Sequence, residues 1–390
     1  MAYNAKNIFF ALIRVGASNG CLTVDEKAAF NPEMLPEIYK AAQKHDLSHL
    51  LGFALKKEGL MPSDWEERFE QRHFESVCRY EQMEYELENI RSLFEENKLQ
   101  FIPLKGAVIR GFYPEGWMRT SCDVDILVHK EDINRAVKLL SANGWVAKDK
   151  IKAHDVSLFS ASGVHLELHF NLHENIKCLD RVLDRVWEYS SPCANVNYEY
   201  RQSNEFLIFH LLSHMSYHFI SGGCGVRSLI DLWLVENQLD YDKEKLQELC
   251  AEAEIDVFAE SINSLINVWF NSGEYTPTDK KIEKVIITGG LYGNARNKVS
   301  FDQAASGGKG KNLIKRIFMP YDSLKFIFPS LDGKKALIPF YWVARWFRII
   351  FKGRLKHAIG EINENTSNTR DSVKETEAFL AEIGLSSIKK

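Results

Sequence analysis

Two carboxylates set into an apolar run constrain this chain more than any other feature. In Arg119-Thr-Ser-Cys-Asp-Val-Asp-Ile-Leu-Val128, Asp123 and Asp125 alternate with Val124 and Ile126. Side chains on a strand point alternately to its two faces, so both acids share one face while the aliphatic residues turn into a core. Two anions this close repel each other, and a shared cation relieves the repulsion. Oxygen ligands suit Mg²⁺ or Mn²⁺ better than zinc. The solvated face of an edge strand has the same Asp-x-Asp spacing, and the pair alone does not separate the two readings.

At 390 residues the chain exceeds what a single core usually serves. With 45% hydrophobic and 26% charged residues it has the balance of an ordinary globular protein. A net charge of −4 gives no global footprint for nucleic acid and favours small substrates over polymers. The apolar run that ends at Arg14 is too short for an export signal, and the seven cysteines include no Cys-x-x-Cys. A cytoplasmic protein is therefore expected, without a disulfide framework or a zinc knuckle. The stretch Ala336 to Phe351 is the nearest thing to a membrane span, but it carries Arg345 and Arg348 and is too short.

Periodicity divides the chain. Helical spacing runs from Pro36 to Gly59, with a turn at His45-Asp46, and again from Asp64 to Asn97. Alternating short elements follow: a strand from Leu99 to Leu104, a helical turn from Ala107 to Gly111, a strand from Cys122 to Val128 and a helix from Asp132 to Ala142. Two strands, Val156 to Phe159 and Val164 to Phe170, then flank Ser-Ala-Ser-Gly. Helices are expected over Asn204–His218, Arg227–Glu236, Glu244–Phe258 and Ile262–Trp269, a polar loop over Lys298–Lys311, and a short surface helix near Lys374–Glu382. The fold class expected is α+β, a small mixed sheet with packed helices and a larger helical C-terminal region. The divisions are 1–98 (helical scaffold), 99–190 (catalytic core), 191–300 (helical bundle) and 301–390 (a loop and a basic, aromatic extension).

A third acid extends the pattern. In Val164-His-Leu-Glu-Leu-His-Phe170, Glu167 lies opposite Leu166 and Leu168, so it reaches the same cluster if this strand pairs beside Asp123 to Val128. Three converging carboxylates suit phosphoryl-type transfer, with metals binding phosphate oxygens and activating an acceptor hydroxyl. A cation should face the phosphates, and Lys105, followed by the unobstructed Gly106, is placed to supply one. Arg119 either contacts a phosphate or pairs with Asp123 or Asp125.

Leu-Lys-Gly-Ala-Val-Ile at 104–109, Tyr113-Pro114, the Asp123 segment, the Glu167 segment, His210-Leu-Leu-Ser-His214 and Arg227-Ser-Leu-Ile-Asp231 together resemble an uncharacterised nucleotidyltransferase family within the DNA polymerase beta superfamily. The resemblance extends to Phe318–Arg348. It implies that Lys105-Gly106 takes the place of the superfamily's glycine-rich turn, that Asp123 and Asp125 are its acid pair, and that Glu167 is its third acid. The usual Gly-Ser or Gly-Gly is absent at that turn. The resemblance also implies that His210 and His214 face the cleft. The activity expected is transfer of a nucleoside monophosphate from an NTP, ATP for preference, to an acceptor hydroxyl with release of pyrophosphate and with Mg²⁺ or Mn²⁺ as cofactor. The acceptor is a small molecule, a protein or RNA. The alternatives are a noncatalytic nucleotide-binding regulator and a metal-dependent phosphohydrolase.

Other features have blander readings. His210, His214 and His218 recur every four residues, but Leu211 stands where a zinc-protease helix would carry glutamate, so packing or nucleotide contact is favoured. His165 and His169 flank Glu167 on its own face, a weaker case for zinc, iron or manganese. Gly222-Gly-Cys-Gly225 reads as an interhelical turn, and Arg227 with Asp231 as a pair one helical turn apart. From Pro339 to Lys356, tryptophans and phenylalanine alternate with Arg345, Arg348, Lys352, Arg354 and Lys356. Packing on the protein itself is the first expectation there, with a peripheral contact to an anionic membrane or to nucleic acid left open.

Overall fold

Four of the sheet's strands form where alternation predicts them, a short one at Val146–Ala147 is additional, and their order places the acid-bearing strand inside the sheet. β1 (Phe101–Leu104), β2 (Asp123–Val128), β3 (Val146–Ala147), β4 (Asp155–Phe159) and β5 (His165–His169) build one sheet in the order β1-β2-β5-β4-β3. β2 pairs antiparallel with β1 and parallel with β5, and β4 and β5 form the antiparallel hairpin expected around Ser-Ala-Ser-Gly. This computed structural model describes residues 4–148, 154–291, 293–306, 310, 312, 314, 317–351 and 370–386. Lys352, Arg354 and Lys356 of the basic segment, and Gly307 to Lys309 and Lys311 of the expected polar loop, lie outside those residues.

One face of the sheet is aliphatic. Val124, Ile126, Val128, Leu166, Leu168, Val156 and Leu158 are buried there against Met83, Leu87, Ile90 and Phe94 of α5 (Ser63–Glu96) and Ile133, Ala136 and Leu140 of α7 (Ile133–Ala142). Each such side chain contributes about 1.5–3 kcal/mol when fully withdrawn from water. The 34 residues of α5 form one continuous helix. Phe74 in the first half of this helix is 68% exposed. Asp132 occupies the N-cap position of α7 but makes no side-chain cap bond.

Ahead of α5 lie α1 (Ala5–Ser18), α2 (Val24–Ala29), α3 (Leu35–His45) and α4 (Ser48–Lys57). The turn at Asp46 adopts a left-handed φ of 56°, a conformation that Asp tolerates better than most residues. These helices share a second core with the C-terminal helices: α8 (Lys177–Leu183), α9 (Asn204–Ile220), α10 (Val226–Gln238), α11 (Lys243–Glu252), α12 (Asp256–Phe270), α13 (Pro277–Gly289) and α14 (Ala295–Ala305). Between the core sheet and α9 a small hairpin, β6 (Ser190–Pro192) and β7 (Tyr200–Gln202), pairs antiparallel. The short α6 (Gly106–Ile109) follows β1.

Three expectations are corrected. The helices expected over Glu244–Phe258 and Ile262–Trp269 break earlier, where Glu254 takes a φ of 59° and ends α11. The polar stretch after Lys298 is not loop throughout, because Val299, Phe301 and Gln303 are buried and hold α14 against its neighbours. The last helix, α17 (Arg370–Glu382), is more than a surface helix, since Phe379 and Leu380 enter the main core and α17 packs on α14. Among the described residues two further helices, α15 (Tyr321–Ile327) and α16 (Ile338–Phe351), precede it. Among the described residues no helix is long and apolar enough to cross a membrane.

Candidate active site

The polar face of the sheet is assembled by register. Across the parallel β2/β5 pair, Asp123 faces His165, Asp125 faces Glu167, and Leu127 faces His169. Partners in register point to the same side, so two acids from β2 and His-x-Glu-x-His from β5 form one patch, while the aliphatic face beneath fixes both strands. Asp123, His165 and Glu167 each offer a ligand atom within 4.8 Å of the others, and so do Asp125, Glu167 and His169. Glu167 belongs to both sets. A divalent ion fits this donor set, and one further observation points the same way: His165 Nε2 is buried without a hydrogen-bond partner. The imidazoles, given little weight in the sequence, stand among the acids and widen the choice of metal towards Mn²⁺ or zinc.

Burial and charge divide the two aspartates. Asp125 is nearly fully buried and accepts hydrogen bonds from Lys105 Nζ at 3.0 Å and His169 Nε2 at 2.9 Å. Desolvation pushes its pKa up, but the Lys105 charge and the His169 bond outweigh it and hold the carboxyl well below the usual range. Burial and the repulsion of Asp125 and Glu167 move Asp123 the other way. One acid is thus locked as an anion, and its neighbour has an excess of negative charge that a cation would relieve.

Lys105 follows β1 and caps α6 with a positive φ of 42°. That conformation is strained for a residue with a Cβ and persists where the surroundings fix it, here through the ion pair to Asp125. Gly106 has a use the sequence did not suggest. A Cβ there would lie 2.8 Å from Arg119 Nη1, so the glycine makes room for a guanidinium. Arg119 pairs with neither Asp123 nor Asp125. Its Nε and Nη2 donate to both oxygens of Asp231 at 2.8–3.1 Å, and Tyr113 donates its hydroxyl to the same carboxylate at 2.8 Å. Arg227 therefore does not pair with Asp231 but donates to the Thr120 carbonyl at 2.7 Å.

Against the sheet's polar face, α9 and α10 close a cavity of about 310 Å³ lined by Lys105, Gly106, Arg119, Asp123, Asp125, Glu167, His214, His218 and Arg227, among others. His214 lies on its wall and His210 does not. His210 is buried beside Gln202, with 3.2 Å between Nδ1 and the amide nitrogen. His214 Nδ1 lies 2.7 Å from Glu174 Oε1, and His218 Nε2 lies 3.0 Å from His214 Nε2. Burial, reinforced by the Lys105 charge, pushes His214 well below the usual imidazole range, and burial pushes Glu174 up. Glu174 gave no signal in the sequence, because a lone glutamate in a polar stretch has no spacing to mark it. Cys224 and Gly225, read as plain turn residues, also form part of the wall.

Residues 31–271 match a family described as uncharacterised nucleotidyltransferase. The chain belongs to that family. The matched region carries every acid and histidine just described, and the small mixed sheet is consistent with the DNA polymerase beta superfamily. No curated protein matches the chain closely enough to be named as a relative. In this nucleotidyltransferase the two Asp/His/Glu groups are the candidate metal ligands, and the cavity between sheet and helices is the candidate active site.

Proposed function

We propose that the cavity transfers a nucleoside monophosphate from ATP to an acceptor hydroxyl, releasing pyrophosphate. The observation that carries this reading is the in-register meeting of Asp123, Asp125 and Glu167 across β2 and β5, with Lys105 beside them. Asp123, Asp125 and Glu167 would hold divalent ions, Mg²⁺ or Mn²⁺, with His165 and His169 in reach as further ligands. Such ions neutralise phosphate charge and lower the pKa of a bound hydroxyl.

The remaining work falls to the chain. Lys105 keeps Asp125 ionised and ready as a ligand, and it supplies positive charge beside the transferred phosphate. The acceptor oxygen forms its bond to the α-phosphorus as the bond to the pyrophosphate oxygen breaks, and the hydroxyl proton leaves to a base on the wall. Glu167 is that base or would hold the ion on the acceptor side. His214, neutral at physiological pH and oriented by Glu174, contacts the nucleotide from the opposite wall. Arg119 serves the nucleotide through its edge of the cavity while it remains paired with Asp231.

The test is ATP turnover with Mg²⁺ or Mn²⁺ against a panel of hydroxyl acceptors, read by product mass. An adduct of AMP size on an acceptor, lost in Asp123→Asn and Asp125→Asn, supports transfer. Activity unchanged by both substitutions would sink the mechanism. Nucleotide bound without product would favour the regulatory reading, and hydrolysis products alone would favour a phosphohydrolase.

A further inference from the structure

α16 is amphipathic in an unusual direction, with its apolar side turned outward. Its inner row is anchored. Trp342 donates its indole N–H to the Met319 carbonyl at 2.8 Å and meets the Phe318 ring edge-on, while Tyr341 packs edge-on against Phe328 and lies 2.9 Å from the Ser330 hydroxyl. That anchoring orients the other side. Phe340, Val343, Phe347 and Phe351 recur at intervals of three and four, the spacing of one helix face, and are 73%, 56%, 56% and 82% exposed. Ala344 is exposed on the same face, and Arg348, exposed at its flank, donates to the Ile327 carbonyl at 3.2 Å and lies over the Phe328 ring. A row of three phenylalanines left in water is not what a monomeric surface usually shows.

Charge selects what covers it. Between Gly333 and Phe351 there are four cations, Lys334, Lys335, Arg345 and Arg348, and no carboxylate, although the chain as a whole is net −4. In a two-fold contact between copies the patch would meet itself, setting cations against cations with no acid to pair them. A nucleic-acid site would stack bases on aromatic rings along a basic groove, whereas these phenyl rings stand on one exposed helix face. We infer that α16 is a peripheral membrane-docking helix, which inserts Phe340, Phe347 and Phe351 into the interfacial zone of an anionic bilayer while its Lys and Arg side chains meet phosphate headgroups.

The test uses the full chain and two vesicle compositions, pure phosphatidylcholine and the same lipid with roughly one quarter phosphatidylglycerol, a content high enough to give a negative surface potential. Sedimentation with the anionic vesicles only is expected. Phe340→Ser combined with Phe347→Ser should lower the bound fraction at least about tenfold, the loss of most of the inserted area. Both side chains are largely exposed, so far-ultraviolet circular dichroism and thermal midpoint should stay at wild-type values, as should nucleotide turnover in solution. Lys334→Glu, at an exposed position, should weaken binding, and added salt should mimic it. Failure to sediment with anionic vesicles, or binding that the double substitution leaves unchanged, would overturn the inference. So would a dimer that the same substitution dissolves in the absence of lipid. Loss of turnover on Asp125→Asn, with vesicle binding intact, keeps this result separate from the proposal for the cavity.

Discussion

Lys105 and Asp125 show how much one contact carries at the scale of a residue. Asp125 is buried and Lys105 partly so, and removing either leaves a charge without its partner. Lys105→Met should lower stability by about 3 kcal/mol in denaturant unfolding and raise the Asp125 carboxyl towards its ordinary value. Asp125→Asn should lower turnover about 100-fold or more while leaving the sheet folded, as kinetics and circular dichroism would show. A metal titration of the same variant, followed calorimetrically, should give weaker binding than wild type. Gly106→Ala should act differently, driving a methyl group against Arg119 and disturbing the Asp231 pair, with a stability loss of about 1–3 kcal/mol. Much at this scale was legible beforehand. Asp123, Asp125 and Glu167 could be placed on one face because strand alternation is a local rule. The partner of Arg119 could not, because Asp231 lies 112 positions along the chain and no local pattern links them.

At the scale of elements, the Arg119, Tyr113 and Asp231 cluster ties the loop before β2 to α10 and so fixes the distance between the sheet and the helical wall of the cavity. Asp231→Asn should cost about 3 kcal/mol because it leaves a buried guanidinium without its counter-charge, whereas Tyr113→Phe should cost about 1 kcal/mol. Both are read by thermal or denaturant unfolding. The elements themselves follow the sequence where the periodic runs are long, as in α3 to α5 and α9. They depart from it where burial overrides composition. α14 looks like loop by its polar content, yet Val299 and Phe301 point into the core. The β6/β7 hairpin has three residues per strand, too few for alternation to register.

For the whole molecule, a half-buried carboxyl outside the cavity should contribute to the response to pH. Glu236 on α10 has its Oε1 atom buried, with the Asn263 side chain of α12 as its hydrogen-bond partner and the Lys243 charge nearby. Desolvation raises its pKa from 4.5 to about 7. A carboxyl whose folded value lies above its unfolded value binds protons more readily in the native state. Its contribution is therefore full below the unfolded value of 4.5 and is lost as pH rises through about 7. Glu236→Gln should flatten the fall in stability across that window by up to roughly 3 kcal/mol, measured as urea unfolding at several pH values.

The central strand pair has a consequence during synthesis as well as in the finished protein. Asp125 and His169 are 44 positions apart, so β2 must wait for its parallel neighbour while the intervening helix and hairpin form. An apolar strand with an open edge invites pairing with other chains, and charged side chains are a standard deterrent to it. Asp123 and Asp125 thus act as gatekeepers for the unfinished sheet, so a chain in which both are asparagine should aggregate more on refolding from urea even where its native state is intact.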